Sequence, residues 1–504
     1  METRSAKRKK LLFTEEKEED DGMDRISDLP DVVLQQILFL LPIKTIAKTS
    51  VLSKRWRSLW SSFPDLDFTT VNPLIKSSQC CLPTQGMDLI THVLSLRDKH
   101  SDIRILRFRA PLSFSHLNAL VRRAIRQKVQ ELDVEVATDD YFNFPRCLIS
   151  SDSLRVFHLK SRYPGFRLPP SSVMVGGFRF LQTLSLSLVI LYNQPCLDDL
   201  FTESSFPLLK KMNLDACFGL KQLKIGCRAL EDLTLENCFQ LHGLDVWGKK
   251  VERLKVASCF DAYGDKNWVK INAPRLKVII WEYNAVTAIS CLENLMGLEE
   301  ASIGLFVLHE DVTTEKLHCV SSLLSGLMHA RSLTIERHCI EILSNKNYFG
   351  HLVHSFKNLK FLELHTGFNR HNIPGLACLF RCSPTLHTLV LKIINDYKIE
   401  RRQWNKDLWE MSTTDVEQYW ESETQSLKAF LNHLNVVKIH GFLDCENEVI
   451  LAKFLLKHGK ALQEMTLCIG HCNFRDSLRR QKIRSQMMGF SWASSNAKIS
   501  FKLN

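Results

Sequence analysis

One spacing of apolar residues governs most of this chain: an apolar position, another three later, another two after that. It reads Ile103-Leu106-Phe108, Val129-Leu132-Val134, Leu154-Phe157-Leu159 and Leu181-Leu184-Leu186. It continues through Leu209-Met212-Leu214, Leu230-Leu233-Leu235, Val251-Leu254-Val256 and Leu276-Ile279-Trp281, with later copies starting at Leu298, Ala330, Leu359, Leu386, Leu434 and Leu462. The last two positions of each copy alternate, which turns both side chains of a short strand to one face. A single copy cannot bury that face, so the copies must stack and share a core. Copies at Leu220-Leu223-Ile225 and Leu241-Leu244-Val246 fall halfway between others and predict strands on the opposite wall as well. Elsewhere the longer spacing leaves room for a helix there.

Three consecutive copies, starting at 209, 230 and 251, carry Cys217, Cys238 and Cys259 three residues after the last apolar position. A cysteine repeated at one structural place reads as a turn-packing residue rather than a ligand or nucleophile. This whole pattern is the leucine-rich-repeat signature, and it implies a curved, right-handed solenoid of strand–helix repeats over residues 101–400. Function on such a scaffold is expected on the concave face, between the core positions. The candidate target-binding residues are Lys211, Asn213, Asp232, Thr234, Arg253, Lys255, Val278, Ile280, Phe361 and Val390, the last four forming an apolar stripe in the later repeats.

The front of the chain has a different period. Leu34, Ile37, Leu38 and Leu41 follow the i, i+3, i+4, i+7 spacing of one helical face. Ser27 and Asp28 are available as caps, and Pro30 suits a first helical turn. Pro42 stops that helix and opens a second, Ile43–Thr49. A third, near Ser53–Trp60, carries Trp56, Leu59 and Trp60 on one stripe. Three short helices cannot bury so many apolar side chains among themselves, so Leu29, Ile37, Leu41, Trp56 and Trp60 are expected to share a partner. By periodicity alone, a helical hairpin packed on the chain's own next domain is the competing reading.

Residues 24–69 resemble an F-box, through the Leu29-Pro30 entry, Leu-Pro-Ile at 41–43, and Val51-Leu52-Ser53-Lys54-Arg55-Trp56 before Leu59-Trp60. The resemblance implies docking on a Skp-type adaptor, and through it a cullin, by Leu29, Pro30, Ile37, Leu41, Pro42 and their neighbours Leu34, Leu38, Trp56, Leu59 and Trp60. It makes the chain a substrate receptor of an SCF-type (cullin–RING) ubiquitin ligase whose repeats hold an unknown target protein. The alternatives are a scaffold that never enters a ligase, or a small-molecule receptor using the concave face.

Residues 426–504 resemble the FBD region that follows such repeats in plant proteins. A strand at Val436–Gly441, a helix at Glu446–His458 and a strand at Glu464–Cys468 form a strand–helix–strand cap in this reading, with Asp444, Glu446 and Glu448 a thin acidic cluster before the helix. The architecture is therefore an α/β chain: a small all-α bundle, a solenoid and a C-terminal cap. Between them lie a 70–100 linker, with Pro73, Cys80-Cys81, Pro83 and a possible helix at Met87–Lys99, and an irregular insertion at 401–425 holding Trp404, Trp409, Tyr419 and Trp420. Residues 1–23, with Lys7-Arg8-Lys9-Lys10 and the acidic run Glu15–Asp21, read as a disordered charged tail.

Charge and chemistry change this picture little. The net charge of +11 arises from 66 cationic and 55 anionic side chains, mostly interleaved, so no direct nucleic-acid contact is expected. The basic run Arg479, Arg480, Lys482 and Arg484 reads as a solvated helix face. An apolar leader and a membrane span are not expected, the sixteen cysteines should stay reduced, and the compartment is cytoplasm or nucleus. Gly243 to Lys249 mimics a phosphate-binding loop but has Lys250 where a hydroxyl is needed and lies between two repeat strands. Cys378 with Cys382, and Cys468, His471 and Cys472, have no complementary half for zinc. No catalytic, cofactor or metal residues are assigned, and the chain reads as a non-enzyme.

Overall fold

The computed structural model describes residues 26, 28–71, 85–111, 113–137, 142–143, 145–161, 166–167, 171–190, 200–262, 266–306, 314–344, 355–368, 372–394, 413–442, 446–469, 481 and 484–503. The tail at 1–23, Ser27, Pro73, Cys80-Cys81, Pro83, Trp404, Trp409, Asp444, His471, Cys472, Arg479, Arg480 and Lys482 lie outside the described residues. The chain divides into two compact units, Met1–Arg109 and Ala110–Asn504.

The first unit opens with three helices, α1 (Asp31–Phe39), α2 (Ile43–Thr49) and α3 (Lys54–Ser61), followed by α4 (Gln85–Leu96). α1 begins later than its flanking polar residues suggested. Pro30 itself occupies the N-cap in extended geometry, and no side chain caps the helix. Asp31 in the first turn offsets the helix dipole, and Arg55 from α3 ties its carboxylate at 2.7 Å while also donating to the Leu29 carbonyl. Pro42 caps α2, and the Ser53 hydroxyl caps α3 by accepting from the Trp56 N–H at 3.3 Å. A short strand, Asp65–Asp67, pairs in parallel with the strand that starts at Ile105. The buried guanidinium of Arg97 donates to the carbonyls of Phe63 and Asp102, which closes the unit.

In the second unit, a major sheet runs from Glu131–Ala137 to Lys498–Leu503, each strand pairing in parallel with the next repeat's. Register follows the apolar pattern: Leu214, Leu235, Val256 and Trp281 lie side by side and are all buried. The half-spaced copies form a second, minor sheet of five strands, from Phe201–Thr202 through Gln222–Gly226, Gly243–Trp247 and Trp268–Asn272 to Ile289–Glu293. Leu223, Ile225, Leu244 and Val246 are buried beneath it. Where repeats are longer, helices such as Thr314–Gly326, Arg337–Leu343 and Ile373–Arg381 take its place.

Four successive major strands each carry a residue with positive φ, Ala216 (49°), Asn237 (55°) and Ser258 (53°) directly after the strand and Tyr283 (54°) at the register shift within Val278–Ala285. That left-handed step turns the chain inward, so the next residue, Cys217, Cys238, Cys259 or Asn284, is buried. The thiols donate to backbone carbonyls, Cys238 and Cys259 at 3.3 Å to Glu236 and Ala257. Hydrogen bonding with Cys238 and burial push the Cys217 and Cys259 thiols well up, and burial alone raises Cys227 to about 12. Asn284 does more than its cysteine equivalents. Its Oδ1 accepts from the N–H groups of Cys259 (2.8 Å) and Phe260 (3.2 Å), and its Nδ2 donates to the Val256 carbonyl at 2.8 Å.

One sequence expectation needs correction at the C-terminal end. Part of the segment read as an irregular insertion is a helix, Thr413–Ser422, whose Val416 and Trp420 are buried. Trp420 stacks on Phe380 at 6.1 Å, and Glu421 binds Lys457 and His458 of the helix Glu446–His458. Charges flanking an aromatic helix concealed its amphipathic pattern. The FBD strands Val436–Phe442 and Glu464–Ile469 continue the major sheet, and a further strand, Lys498–Leu503, ends it. Exposed Lys498 and Lys502 on that last strand disfavour edge-to-edge pairing.

Asn284→Ala orphans buried backbone groups and should lower the unfolding free energy by about 2–3 kcal/mol in urea titration. Ser258→Gly, relieving a positive φ, should be neutral or slightly stabilising. A loss below about 0.5 kcal/mol for Asn284→Ala would contradict this account of the turn.

Candidate docking surfaces

At 100° per residue, α1 is apolar on two sides. Leu34 and Leu38 point inward and are fully buried, whereas Val32 and Leu40 fall on the opposite side and are exposed, Leu40 by 84%. Ile37 lies on the rim between them and is partly exposed. The turn between α2 and α3 presents Val51, 81% exposed, and Leu52. Phe39 is only partly free, its ring 4.9 Å from Phe63 and covered by Arg104 at 5.0 Å.

The structure therefore splits the adaptor-binding set. Pro30, Ile37 and Pro42 are exposed, and Leu29, Leu41 and Trp56 are half-buried. Leu34, Leu38, Leu59 and Trp60 are not surface residues: they lie in the interior of their own unit, which also holds Phe63, Leu66, Phe68, Ile90 and Leu94. The segment after the three helices supplies apolar cover that a count restricted to the helices left out. These four shape the bundle instead of meeting a partner. Val32, Leu40, Val51 and Leu52 were missed because they stand off the heptad-like stripe. The available signal was that Val32 and Leu40 stand opposite Leu34 and Leu38 at 100° per residue, so apolar surface is left over on that side.

On the major sheet, solvent-side residues form columns in register: Lys211, Asp232, Arg253 and Val278 in one, Asn213, Thr234, Lys255 and Ile280 in another. Lys211 and Arg253 are exposed, and Asn213, Asp232, Thr234, Lys255, Val278, Ile280 and Phe361 are half-buried. Val390 is buried, which removes it from the target-binding set. Its short side chain stands between the longer Glu363 and Lys438 in register. The expected apolar stripe is thus largely covered. Exposed apolar side chains appear instead at Tyr283, Phe306 and Ile394, beyond or at the ends of their strands.

Several charges of this face are paired with one another. Lys255 binds Glu236 at 2.5 Å, and Lys392 binds Glu363 at 2.5 Å. His365 reaches Glu336 through Nδ1 (2.8 Å) and Glu363 through Nε2 (2.7 Å). Burial works to raise the Glu363 carboxyl, but hydrogen bonds from Lys392 and His365 outweigh it and hold the group below its ordinary value. Hydrogen bonding to Glu236 raises the Lys255 ammonium, against a smaller effect of burial.

The rejected phosphate-loop mimic is a minor-sheet strand, Gly243–Trp247, followed by a turn. Among the described residues no group of three His, Cys, Asp or Glu side chains could hold a metal ion. No helix among them is long and apolar enough to cross a membrane. Among the described residues, the arrangement offers surfaces for binding.

Comparison with known proteins agrees with these features. The family model described as "At1g61320/AtMIF1, LRR domain" matches residues 97–260 and 226–495, and that of the F-box domain matches 26–68. The putative F-box/FBD/LRR-repeat protein At4g03220 of Arabidopsis thaliana is 52% identical over 508 residues, spanning 99% of this chain and the full length of that protein. The A. thaliana F-box/FBD/LRR-repeat protein At3g26920 is 28% identical over 464 residues, 89% of this chain and 90% of its own.

Lys392→Met removes the cation that holds Glu363 ionised. A carboxylate with a depressed folded pKa stabilises the fold above its unfolded value near 4.5, and that stability is lost as pH falls through the folded value. The stability gap between wild type and Lys392→Met, read from urea midpoints, should be full at neutral pH and close in acid. A gap of constant size at every pH would assign the loss to packing instead.

Proposed function

The chain belongs to the F-box/FBD/leucine-rich-repeat proteins of plants, and on that premise we propose that it is a substrate receptor of an SCF-type (cullin–RING) ubiquitin ligase. The observation that carries the reading is α1. One side builds the bundle, and the other leaves Val32, Ile37 and Leu40 uncovered in water. An apolar helix face left open in this way is a docking surface for a second protein. In this reading a Skp-type adaptor covers it, and a cullin joins through the adaptor. The repeat unit binds the target.

The mechanism is proximity. The receptor performs no bond chemistry; it raises the local concentration of a target near the ubiquitin-conjugating enzyme. Tethering of this kind adds about 10²–10⁴ to apparent affinity without any new contact. The ligase's other subunits carry out the transfer.

Co-purification with a Skp-type adaptor tests the reading. Burying one Leu or Val contributes about 1.5–3 kcal/mol, so Leu40→Glu or Val51→Glu should reduce adaptor binding by about tenfold or more. Both residues stand in solvent, so the urea midpoint should not move. Leu38→Ala provides the contrast: it should cost about 2–5 kcal/mol of stability because it opens a cavity. Undiminished adaptor binding by a folded Leu40→Glu, Val51→Glu double variant would remove the ligase role.

A further inference from the structure

The minor sheet carries a surface that the receptor reading leaves unused. Its outward residues fall in three rows across the strands. The first row is Gln222, Gly243, Trp268 and Ile289, and the second is Lys224, Asp245, Lys270 and Cys291. The third contains Trp247, Asn272 and Glu293, with Gly226 at its open end. Two glycines shape it. A Cβ at 243 would stand 2.4 Å from the Trp268 ring, so only glycine lets that indole lie flat across the sheet. A Cβ at 226 would meet nothing within 4 Å, which leaves the space beside Trp247 open.

Trp247 is 68% exposed, and Ile289 is exposed as well. Lys270 stands 5.8 Å over the Trp268 ring. Exposed Lys221, Lys224, Lys249 and Lys250 surround the strands, and none of these cations is in an ion pair among the described residues. Asp245 and Glu293 are the acidic members of the rows. On the major sheet, by contrast, Lys255 and Lys392 are paired with carboxylates of neighbouring strands.

We propose that the outer face of the minor sheet, centred on Trp247, Lys224 and Lys270, binds an extended acidic peptide segment bearing an apolar or aromatic side chain. The assignment rests on the receptor reading in taking the occupant to be a segment of a target protein. Charge complementarity decides its sign, because this is where unneutralised lysines gather around exposed apolar surface. Geometry favours a peptide. Lys224 and Lys270 are two strand spacings apart, about 10 Å, a span that long lysine and glutamate side chains bridge from carboxylates two or four residues apart on one face of an extended chain, about 7 or 13 Å. An aromatic or aliphatic side chain of the peptide fills the space beside Trp247 above Gly226. A single nucleic-acid strand fits less well. The two indoles are on adjacent strands offset by four residues, about 14 Å apart, too far to stack successive bases.

The test uses the full-length chain and a short fluorescein-labelled peptide rich in Glu and Phe, followed by anisotropy. Oligothymidylate serves as the nucleic-acid arm, and sedimentation of the free protein as the self-association arm. The expected result is salt-sensitive peptide binding that falls about tenfold in Trp247→Ala and in a Lys224→Glu, Lys270→Glu double variant. These residues are on the surface, so the urea midpoint should hold. Tighter binding of oligothymidylate than of peptide would overturn the proposal. So would peptide affinity unchanged in both variants, or self-association that Trp247→Ala abolishes while peptide binding is absent. Adaptor co-purification measured on the same variants should not change. Its loss in the wild-type protein with peptide binding retained would sink the ligase reading and leave this surface standing.

Discussion

A strand of one repeat presents two or three apolar side chains to the interior, too few to offset the entropy of fixing its backbone. Stability therefore depends on parallel pairing in one register, which sets Leu186, Leu214, Leu235, Val256 and Trp281 shoulder to shoulder. A slip of one residue would turn Lys211, Asn213 and Asp215 into the core and their apolar neighbours into water. Register is thus the most strongly specified feature of the second unit, and the turns serve it. The left-handed residues Ala216, Asn237, Ser258 and Tyr283 each deliver a Cys or Asn to the same buried place. Where the strand pairing shifts, between Trp281 and Asn284, an amide with three hydrogen bonds stands in for the thiol.

The same demand for burial distributes binding capacity over the molecule. α1 has more apolar surface than its bundle can enclose, and the excess faces solvent at Val32 and Leu40. On the major sheet Lys255 and Lys392 pair with carboxylates of neighbouring strands, so part of the side where a partner was expected is already satisfied. The minor sheet keeps its lysines unpaired and its indoles partly open. A receptor needs two grips, one for the ligase and one for the target. Uncompensated surface, apolar in the first unit and mixed aromatic and basic in the second, marks where each grip is proposed.

The order of elements was readable in the chain because it depends on local period. Spacing alone separates three short helices from repeated strands, places Cys217, Cys238 and Cys259 at turns, and predicts strands on both walls. Ile43–Thr49 and Glu446–His458 begin and end where Pro42 and Gly459 imply. Which apolar residues face outward was not readable in the same way. Leu34, Leu38, Leu59 and Trp60 were grouped with the adaptor-binding candidates until the later segment of their unit was there to enclose them, and Trp420 looked like part of an irregular insertion until Phe380 stacked on it.

By itself, the sequence determined the repeat and its register, since period and turn chemistry act between residues close in the chain. Only the tertiary structure decided which side chains remain for a partner. Burial at Val390, pairing at Lys392 and openness at Trp247 each depend on what a neighbouring strand or helix places alongside, and those neighbours lie about twenty or more residues away in the chain.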